Sequence, residues 1–291
     1  MKNTSAKLEY IISVLLYGTI GLLLQYVNAT SELIVLCRSS IGTVVVLLFM
    51  LCRRQKIDFA GIRSNFLLIT LSGIFLGLNW VTLFTAYQVT SIATASLLNY
   101  MAPMIVIAVS PFVLKEKMTV TKAICVIAAF IGVALVSGFL DGGDQNFNFL
   151  GVIMGLSAAL CFVGVVLCNR KMKPMHALTR CAYQLLVAAL VVLPYNLIKN
   201  GGLPFPTDLT SILLLIVLGV LQTGFAYIFY FNGLASLPVQ SVAILGYLEP
   251  LVTVITGVLI LGQYISVWGI IGAILILGAA VFSELSGKKK A

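Results

Sequence analysis

The stretch "LLNYMAPMIVIAV" (Leu97–Val109) is repeated in outline 147 positions later as "ILGYLEPLVTVIT" (Ile244–Thr256). Both copies are strongly apolar, and each holds a tyrosine followed three residues later by a proline. The second copy carries Glu249 where the first has Ala102. Apolar runs of about 20 residues can cross the hydrocarbon core of a bilayer, which is about 30 Å thick. The doubled stretch therefore predicts a membrane protein made of two related halves.

The composition extends this prediction to the whole chain of 291 residues, because 60% are hydrophobic and only 9% are charged. Soluble domains usually have about 25% charged residues. The first apolar run reaches the second through only "NATSE" (Asn28–Glu32), so it is predicted to be a true span and not a cleaved signal peptide. The expected fold is an all-α integral membrane protein with ten transmembrane helices, at 8–27, 33–51, 66–87, 92–114, 119–138, 149–168, 178–198, 211–232, 239–261 and 264–283.

The formal net charge of +9 is concentrated on one predicted side of the membrane. That side holds 16 of the 18 basic residues: Lys2, Lys7, Arg53, Arg54, Lys56, Arg63, Lys115, Lys117, Lys122, Arg170, Lys171, Lys173, Arg180 and Lys288–Lys290. Because positive charge marks the cytoplasmic side, we predict a cytoplasmic-membrane protein with both termini cytoplasmic. This placement favours contact with anionic lipid headgroups over nucleic acid as a partner.

Two five-helix repeats are predicted, at 1–138 and at 149–291, the second including the basic C-terminal tail. Their identical residues at the offset of 147 include Gly77/Gly224, Phe84/Phe231, Leu98/Leu245, Tyr100/Tyr247, Pro103/Pro250, Leu114/Leu261 and Val120/Val267. Since five is odd, the second repeat enters the membrane from the opposite side and is inverted. Inverted repeats are typical of secondary transporters, whose substrate sites lie near the midplane.

The chain resembles the EamA branch of the drug/metabolite transporter superfamily over nearly its whole length. The resemblance rests on an arginine near the start of the second helix of each half, Arg38 and Arg180. It also rests on "P-x12-E-K-M-T" at Pro103–Thr119 and on "LILGQYIS" at Leu259–Ser266, which follows "LEP". It implies two five-helix halves and transport of a small metabolite, with export as the direction, and says little about the substrate.

This sequence departs from the family pattern at Gln263, where an acid usually follows "LG" at the end of the ninth helix. Glu116 keeps the corresponding acid in the first half. Any role of that acid on the cytoplasmic side is therefore not duplicated.

Glu249 is the leading candidate for a functional residue because it is the one acid near the middle of a predicted span. A charged residue at a helix centre costs about 2.5–3.5 kcal/mol on insertion scales, and such residues are by default functional-site hypotheses. Pro250 cannot donate to the helix ladder and frees a carbonyl near Gly246, which suits a cation. We expect Glu249 to bind substrate or to couple a proton. The alternative is a hydrogen-bonded lock to Arg38 or a tyrosine.

Other polar and aromatic side chains in the predicted spans are candidate substrate contacts: Tyr17, Asn79, Trp80, Asn99, Tyr100, Gln222 and Tyr247. For each, the alternative is an ordinary contact between helices. Pro103 and Pro250 are predicted helix kinks, with simple packing kinks as the alternative. Aromatic faces with a few amides and one carboxylate suit small cationic or zwitterionic organic molecules.

Helical periodicity and position give two further expectations. A regular eighth span places Gln222, Phe225, Phe229 and Asn232 on one stripe, and Tyr227 and Tyr230 on another. Arg38 lies about five residues inside its span and is expected to snorkel to the interface. The alternative is that it contacts a substrate carboxylate. Small residues at Ala128/Gly132, Ala134/Gly138 and Gly269/Ala273 predict a packing scaffold for a monomer or homodimer.

The sequence as a whole predicts a secondary transporter of an amino acid, amine or aromatic compound that works by alternating access. A facilitative uniporter or an uptake permease is the first alternative, and a non-transporting structural membrane protein is the second. An enzyme is not expected, because paired acids or a histidine set are missing from the sequence, whose single histidine is His176. No metal or cofactor is expected, and the sequence contains no G-x-x-x-x-G-K-[ST] loop for ATP.

Overall fold

The structure is a computed structural model that describes residues 2–113, 118–137, 148–237 and 239–287. Within these residues every regular element is helical. The α-helices are α1 (Lys2–Gly18), α2 (Ile20–Leu24), α3 (Ser31–Cys52), α4 (Phe59–Ser64), α5 (Phe66–Val89), α6 (Ile92–Asn99), α7 (Ala102–Val113), α8 (Val120–Val136), α9 (Phe149–Lys171), α10 (Ala177–Asn200), α11 (Leu209–Gly219), α12 (Ala226–Ser236), α13 (Val239–Gly246), α14 (Leu248–Ile255) and α15 (Val267–Gly287). Two π-helical segments follow α11 and α14, at Val220–Phe225 and Thr256–Ile260. Some residues used in the sequence predictions lie outside the described ranges: Lys115, Glu116, Lys117, Gly138 and Lys288–Lys290.

In the part of the chain that the structure describes, seven helices are long and apolar enough to cross a membrane: Thr4–Leu24, Ser31–Cys52, Phe66–Val89, Ile92–Val113, Phe149–Lys171, Ala177–Asn200 and Leu209–Ser236. Three shorter apolar helices lie where the fifth, ninth and tenth spans are predicted: Val120–Val136, Leu248–Ile260 and Val267–Ser283. Large apolar side chains are well exposed, including Phe112 at 86%, Ile198 at 84% and Leu259 at 77%. Such exposure suits a lipid environment and is rare on soluble proteins. The fold is therefore that of a multi-pass membrane protein.

Several long helices begin at side-chain caps that the sequence encodes directly. Thr30, Ser91 and Asp208 each accept a hydrogen bond from the backbone N–H three residues further on. These caps satisfy one of the N–H groups that a helix start leaves unpaired. They fix where α3, α6 and α11 begin.

The chain divides into two compact units, and the first comprises Met1–Val81 and Gly164–Val252. Its centre is the packing of α3 against α10 and α11, and α1 packs against α12. The π-helical segment Val220–Phe225 packs closely on α3 at Gly42, because a Cβ at Gly42 would lie 2.5 Å from Cγ2 of Thr223. Helices α3 and α10 are also joined by an ion pair between Glu32 of α3 and Lys199 of α10.

Two loops of the first unit are joined by hydrogen bonds on the side that is predicted to be cytoplasmic. The Asp58 carboxylate accepts from the backbone N–H groups of Gly61, at 2.7 Å, and His176, at 3.2 Å. The Asn65 amide pairs with the backbone of Lys173 in both directions, at 2.7 and 3.2 Å. Bonds to Gly61 and His176 hold the pKa of Asp58 below its usual value.

The second unit comprises Thr82–Val163 and Thr253–Ala291. Its main contact is α8 against α15, at two glycines that face each other: a Cβ at Gly132 would lie 2.8 Å from the carbonyl oxygen of Gly272, and one at Gly272 would lie 2.6 Å from that of Gly132. Gly269, which the sequence placed in the scaffold, has only Ser266 and Ile265 of its own helix start within 4 Å. Helices α8 and α15 therefore pack closely, as the small residues predicted, but the contact on α15 is made at Gly272 and not at Gly269.

Both copies of the repeated stretch are true helix interruptions. In the second unit, α6 ends at Asn99 and α7 begins at Ala102; in the first unit, α13 ends at Gly246 and α14 begins at Leu248. Each proline lies in the first turn of the following helix, where its missing N–H breaks no helical bond. The tyrosine of each copy therefore lies at a break in its span.

Candidate functional site

Five aromatic side chains of the first unit form a continuous group, which we call the aromatic cluster: Tyr10, Tyr17, Trp80, Tyr227 and Tyr230. The Tyr17 ring lies 5.6 Å from Tyr227 and 6.1 Å from Tyr230, measured between ring centroids. Tyr227 in turn lies 6.5 Å from Trp80, and Tyr230 lies 5.4 Å from Tyr10. Helices α1, α5 and α12 thus bring together residues from distant parts of the chain.

Glu249 lies beside the aromatic cluster, because its carboxylate is within electrostatic range of the hydroxyls of Tyr17, Tyr227 and Tyr230. The close approach of α1 to α14 depends on Gly18, where a Cβ would lie 2.9 Å from the Glu249 carbonyl oxygen. The mid-span acid predicted from the sequence thus lies near the tyrosine hydroxyls of the aromatic cluster. Such a group can bind a cation through both charge and ring contacts.

Helix α1 also holds the helix that ends at the interruption. The Tyr10 hydroxyl donates a hydrogen bond of 3.1 Å to the Val242 carbonyl of α13. The same hydroxyl would lie 3.5 Å from a Cβ placed at Gly246, the last residue of α13. The end of α13 is therefore fixed against the aromatic cluster.

Arg38 does not snorkel to the interface as expected, since it is only 2% exposed. Its guanidinium lies 4.1 Å from the centre of the Trp80 ring, and its Nε donates to Thr223 Oγ1 at 3.1 Å. The ring face and the hydroxyl stabilise a charge that would otherwise be costly to bury. Arg38 is thus a structural support for Trp80 beneath the aromatic cluster.

The π-helical segment changes the stripe predicted for the eighth span. A π turn contains more residues than an α turn, so the register of side chains slips along it. As a result Gln222 and Thr223 are buried, at 2% and 0% exposed, whereas Phe225 is 38% exposed. The prediction that Phe225 shares an inward face with Gln222 is therefore wrong. Tyr227 and Tyr230, on the other predicted stripe, join Tyr17.

Arg180 contacts the ring of Phe231, the residue that follows Tyr230 of the aromatic cluster. It is half-buried, and its guanidinium lies 5.8 Å from the centre of the Phe231 ring. Tyr230 and Phe231 are themselves in contact, with ring centroids 5.5 Å apart. The Arg180 Nε is buried and has no hydrogen-bond partner within the described part of the chain.

Other buried polar atoms without a hydrogen-bond partner among the described residues include Tyr17 Oη and Gln222 Oε1. The Gln222 amide nitrogen, by contrast, donates to Thr19 Oγ1 at 3.0 Å. Buried polar atoms are nearly always satisfied in folded proteins, and exceptions call for a ligand, a water or strain. The open hydroxyl of Tyr17 lies inside the aromatic cluster, where a bound molecule would satisfy it.

The other predicted site residues fall into two groups. Asn79 is 3% exposed in α5, and Tyr247 lies at the interruption between α13 and α14. Both belong to the first unit. Asn99 and Tyr100 belong to the second unit, at the interruption between α6 and α7, and their role stays a prediction.

Sequence reasoning left Tyr10, Tyr227 and Tyr230 out of the site, although the sequence carried a signal. The run "YIFYF" (Tyr227–Phe231) is the densest aromatic stretch of its span. Which of its rings face inward depends on the register set by the preceding π turn. Among the described residues, no group of three or more histidines, cysteines or acids could hold a metal ion.

Within the described residues every regular element is helical, seven helices have membrane-spanning length, and a half-buried carboxylate lies near aromatic rings at one of two helix interruptions. These features define a polytopic membrane protein with a polar site. The profile of the EamA-like transporter family matches residues 6–138 and again residues 149–284, so the chain belongs to this family. The resemblance drawn from the sequence is confirmed.

The chain is similar over most of its length to several proteins, two of which are named as transporters. The uncharacterized transporter YxxF of Bacillus subtilis is 24% identical over 100% of this chain and 93% of its own. An uncharacterized transporter of Archaeoglobus fulgidus is 27% identical over 94% of each chain. Protein PecM of Dickeya dadantii is 27% identical over 75% of this chain and 73% of its own. One crystal structure, 20% identical, has the same fold with a TM-score of 0.68 over 97% of this chain and 98% of that chain.

Proposed function

We propose that this protein is a secondary transporter that moves a small organic metabolite across the cytoplasmic membrane by alternating access. The observation that carries this proposal is the position of Glu249, beside the aromatic cluster and three residues after the end of α13. Interrupted helices with an ionisable residue at the break are a recurrent design of transporter sites. Membership of a transporter family supports the same conclusion.

The proposed substrate is an amino acid, an amine or an aromatic compound. Tyrosine and tryptophan faces attract cationic groups and stack on apolar rings. The Glu249 carboxylate supplies the opposite charge for an amine, and the open Tyr17 hydroxyl supplies a hydrogen bond. Asn79, Gln222 and Tyr247 are proposed as further contacts from the same unit. Asn99 and Tyr100, which belong to the second unit, stay substrate contacts predicted from the sequence alone.

The proposed architecture has ten spans in two inverted five-helix repeats, 1–138 and 149–291, with both termini in the cytoplasm. The two matches of the family profile support two repeats, and the concentration of basic residues on one side supports the orientation. A small tag placed after Ala291 should be labelled only after cells are permeabilised. Labelling in intact cells would reject the cytoplasmic C-terminus, and with it the proposed topology.

Transport itself is tested with purified protein in proteoliposomes. We expect saturable uptake of a radiolabelled amino acid or amine, with counterflow when unlabelled solute is loaded inside. Accumulation driven by an imposed proton gradient would favour proton coupling through Glu249. Equilibration without accumulation would favour the facilitative uniporter. The orientation of the proton gradient that drives solute movement would distinguish an uptake permease from an exporter.

The Glu249→Gln variant tests the role of the carboxylate in that assay. A hydrogen bond to a charged group contributes about 1.5–3 kcal/mol, so transport of an amine should fall about 10- to 100-fold. Glu9→Gln is the matched control, because Glu9 is also an acid within an apolar helix but bonds to Asn232 and Ser5, outside the cluster. A Glu249→Gln variant that transports at the wild-type rate would show that the acid is only a packing element.

A further inference from the structure

The two arginines that enter the second helix of each predicted repeat have different surroundings. Arg38 is fully buried, with its Nε bonded to Thr223 and its guanidinium stacked on Trp80. Arg180 has a ring contact of the same kind, with Phe231, but its Nε has no hydrogen-bond partner among the described residues. One arginine is thus fixed by the protein, while the other keeps an unsatisfied donor.

A buried guanidinium N–H without an acceptor is costly, because the group has lost its water and gained nothing in exchange. The Phe231 ring offsets part of this desolvation cost through a cation–π contact, which involves the flat face of the guanidinium and not its N–H groups. The edge that carries Nε stays open. The chemistry that best matches this edge is an oxyanion, and above all a carboxylate, which accepts two parallel hydrogen bonds from Nε and a neighbouring Nη.

The position of Arg180 ties this edge to the proposed transport site. Its charge is within electrostatic range of the Tyr230 hydroxyl, which also lies within range of the Glu249 carboxylate. Tyr230 is therefore within electrostatic range of both a cation and an anion of the same unit. For a solute that contacts the Tyr230 ring, Glu249 is available to pair with an amine and Arg180 is available to pair with a carboxylate.

We propose that Arg180 binds a carboxylate of the transported solute, with Phe231 holding the guanidinium in place. The assignment rests on the proposed transport function and makes it narrower. It selects solutes that carry a carboxylate over simple amines of the same shape. It also separates Arg180, a binding residue, from Arg38, which supports Trp80.

The test uses three probes that differ only in their charged groups: L-phenylalanine, phenethylamine without the carboxylate, and 3-phenylpropionate without the amine. Thermal unfolding of the purified full chain is measured in a non-ionic detergent with each probe. The variants are Arg180→Gln, which loses the charge, and Arg180→Lys, which keeps the charge but not the paired donors. Arg53→Gln is the control, because the Arg53 guanidinium lies 5.5 Å from the Phe49 ring, a matching ring contact on an exposed residue.

In the wild type and in Arg53→Gln, both carboxylate probes should raise the midpoint of unfolding. In Arg180→Gln the affinity for L-phenylalanine and for 3-phenylpropionate should fall about 10- to 100-fold. The affinity for phenethylamine should change by less than about threefold. The affinity of Arg180→Lys for the two carboxylate probes should lie between that of the wild type and that of Arg180→Gln. Carboxylate binding that survives in Arg180→Gln would overturn the proposal. So would an equal loss for all three probes, or a wild type that no carboxylate stabilises.

Two additional measurements separate this proposal from its rivals. Phosphatidylglycerol that stabilises the wild type through Arg180, with no effect of the carboxylate probes, would show that a lipid headgroup occupies this edge and would overturn the proposal. Uptake of labelled L-phenylalanine into proteoliposomes is then measured for the same variants. Binding that depends on Arg180 without any transport would reject the transport function but leave the carboxylate site in place.

Discussion

The sharpest structural prediction concerns Gly132, where α8 meets α15. A Cβ at this position would lie 2.8 Å from the Gly272 carbonyl oxygen and 3.2 Å from the Ile276 backbone nitrogen. Since both atoms belong to a helix backbone, the clash in Gly132→Ala cannot be relieved by a side-chain rotation. The two helices must move apart, and such overpacking usually costs about 1–3 kcal/mol.

The matched control is Gly278→Ala in α15, because nothing lies within 4 Å of the added Cβ. Both variants gain the same helix propensity, about 1 kcal/mol for alanine over glycine. The difference between them therefore isolates the steric cost, and Gly132→Ala should be less stable than Gly278→Ala by about 1–3 kcal/mol. Equilibrium unfolding in mixed micelles measures both free energies. Equal stability of the two variants would refute the close contact of α8 with α15.

Two further predictions concern the first unit. Arg38→Gln should lower the free energy of unfolding by about 2–4 kcal/mol, because Thr223 and Trp80 both lose a charged partner; chemical denaturation measures this loss, and a change no larger than that of Arg53→Gln would contradict it. Asp58→Asn should reduce thermal stability at pH 7 but not in acid. A lowered folded-state pKa means that the carboxylate stabilises the fold above its ordinary pKa of 3.8, and that this contribution is lost as the pH falls through the folded value. Melting curves from pH 3 to 7 give the comparison, and a constant difference between wild type and variant across this range would contradict it.

The class of protein could be predicted from the sequence because hydropathy is a local property. A run of about 20 apolar residues is a candidate span whatever its neighbours are. The positions of the interruptions were equally local, since a proline removes a backbone donor wherever it stands. Glu249 stood out for the same reason, as the one acid near mid-span. These features required no knowledge of which helices touch.

The partners of each side chain could not be predicted in this way. The Arg38–Thr223 bond joins residues 185 positions apart, and the Gln222–Thr19 bond joins residues 203 positions apart. Arg38 was expected at the interface on account of its depth in the span. A ring face from α5 and a hydroxyl from the π-helical segment make burial favourable instead, and neither was visible from the local sequence.

The amino-acid sequence was sufficient to predict a helical, multi-pass membrane protein of a transporter family, with one acid where the two repeated stretches differ. Tertiary packing was needed to bring Tyr17, Tyr227 and Tyr230 within electrostatic range of this acid, and to leave an open donor on Arg180. The physical reason is that hydropathy and proline act through the chain's own backbone. Satisfying a buried charge depends instead on atoms that other helices supply.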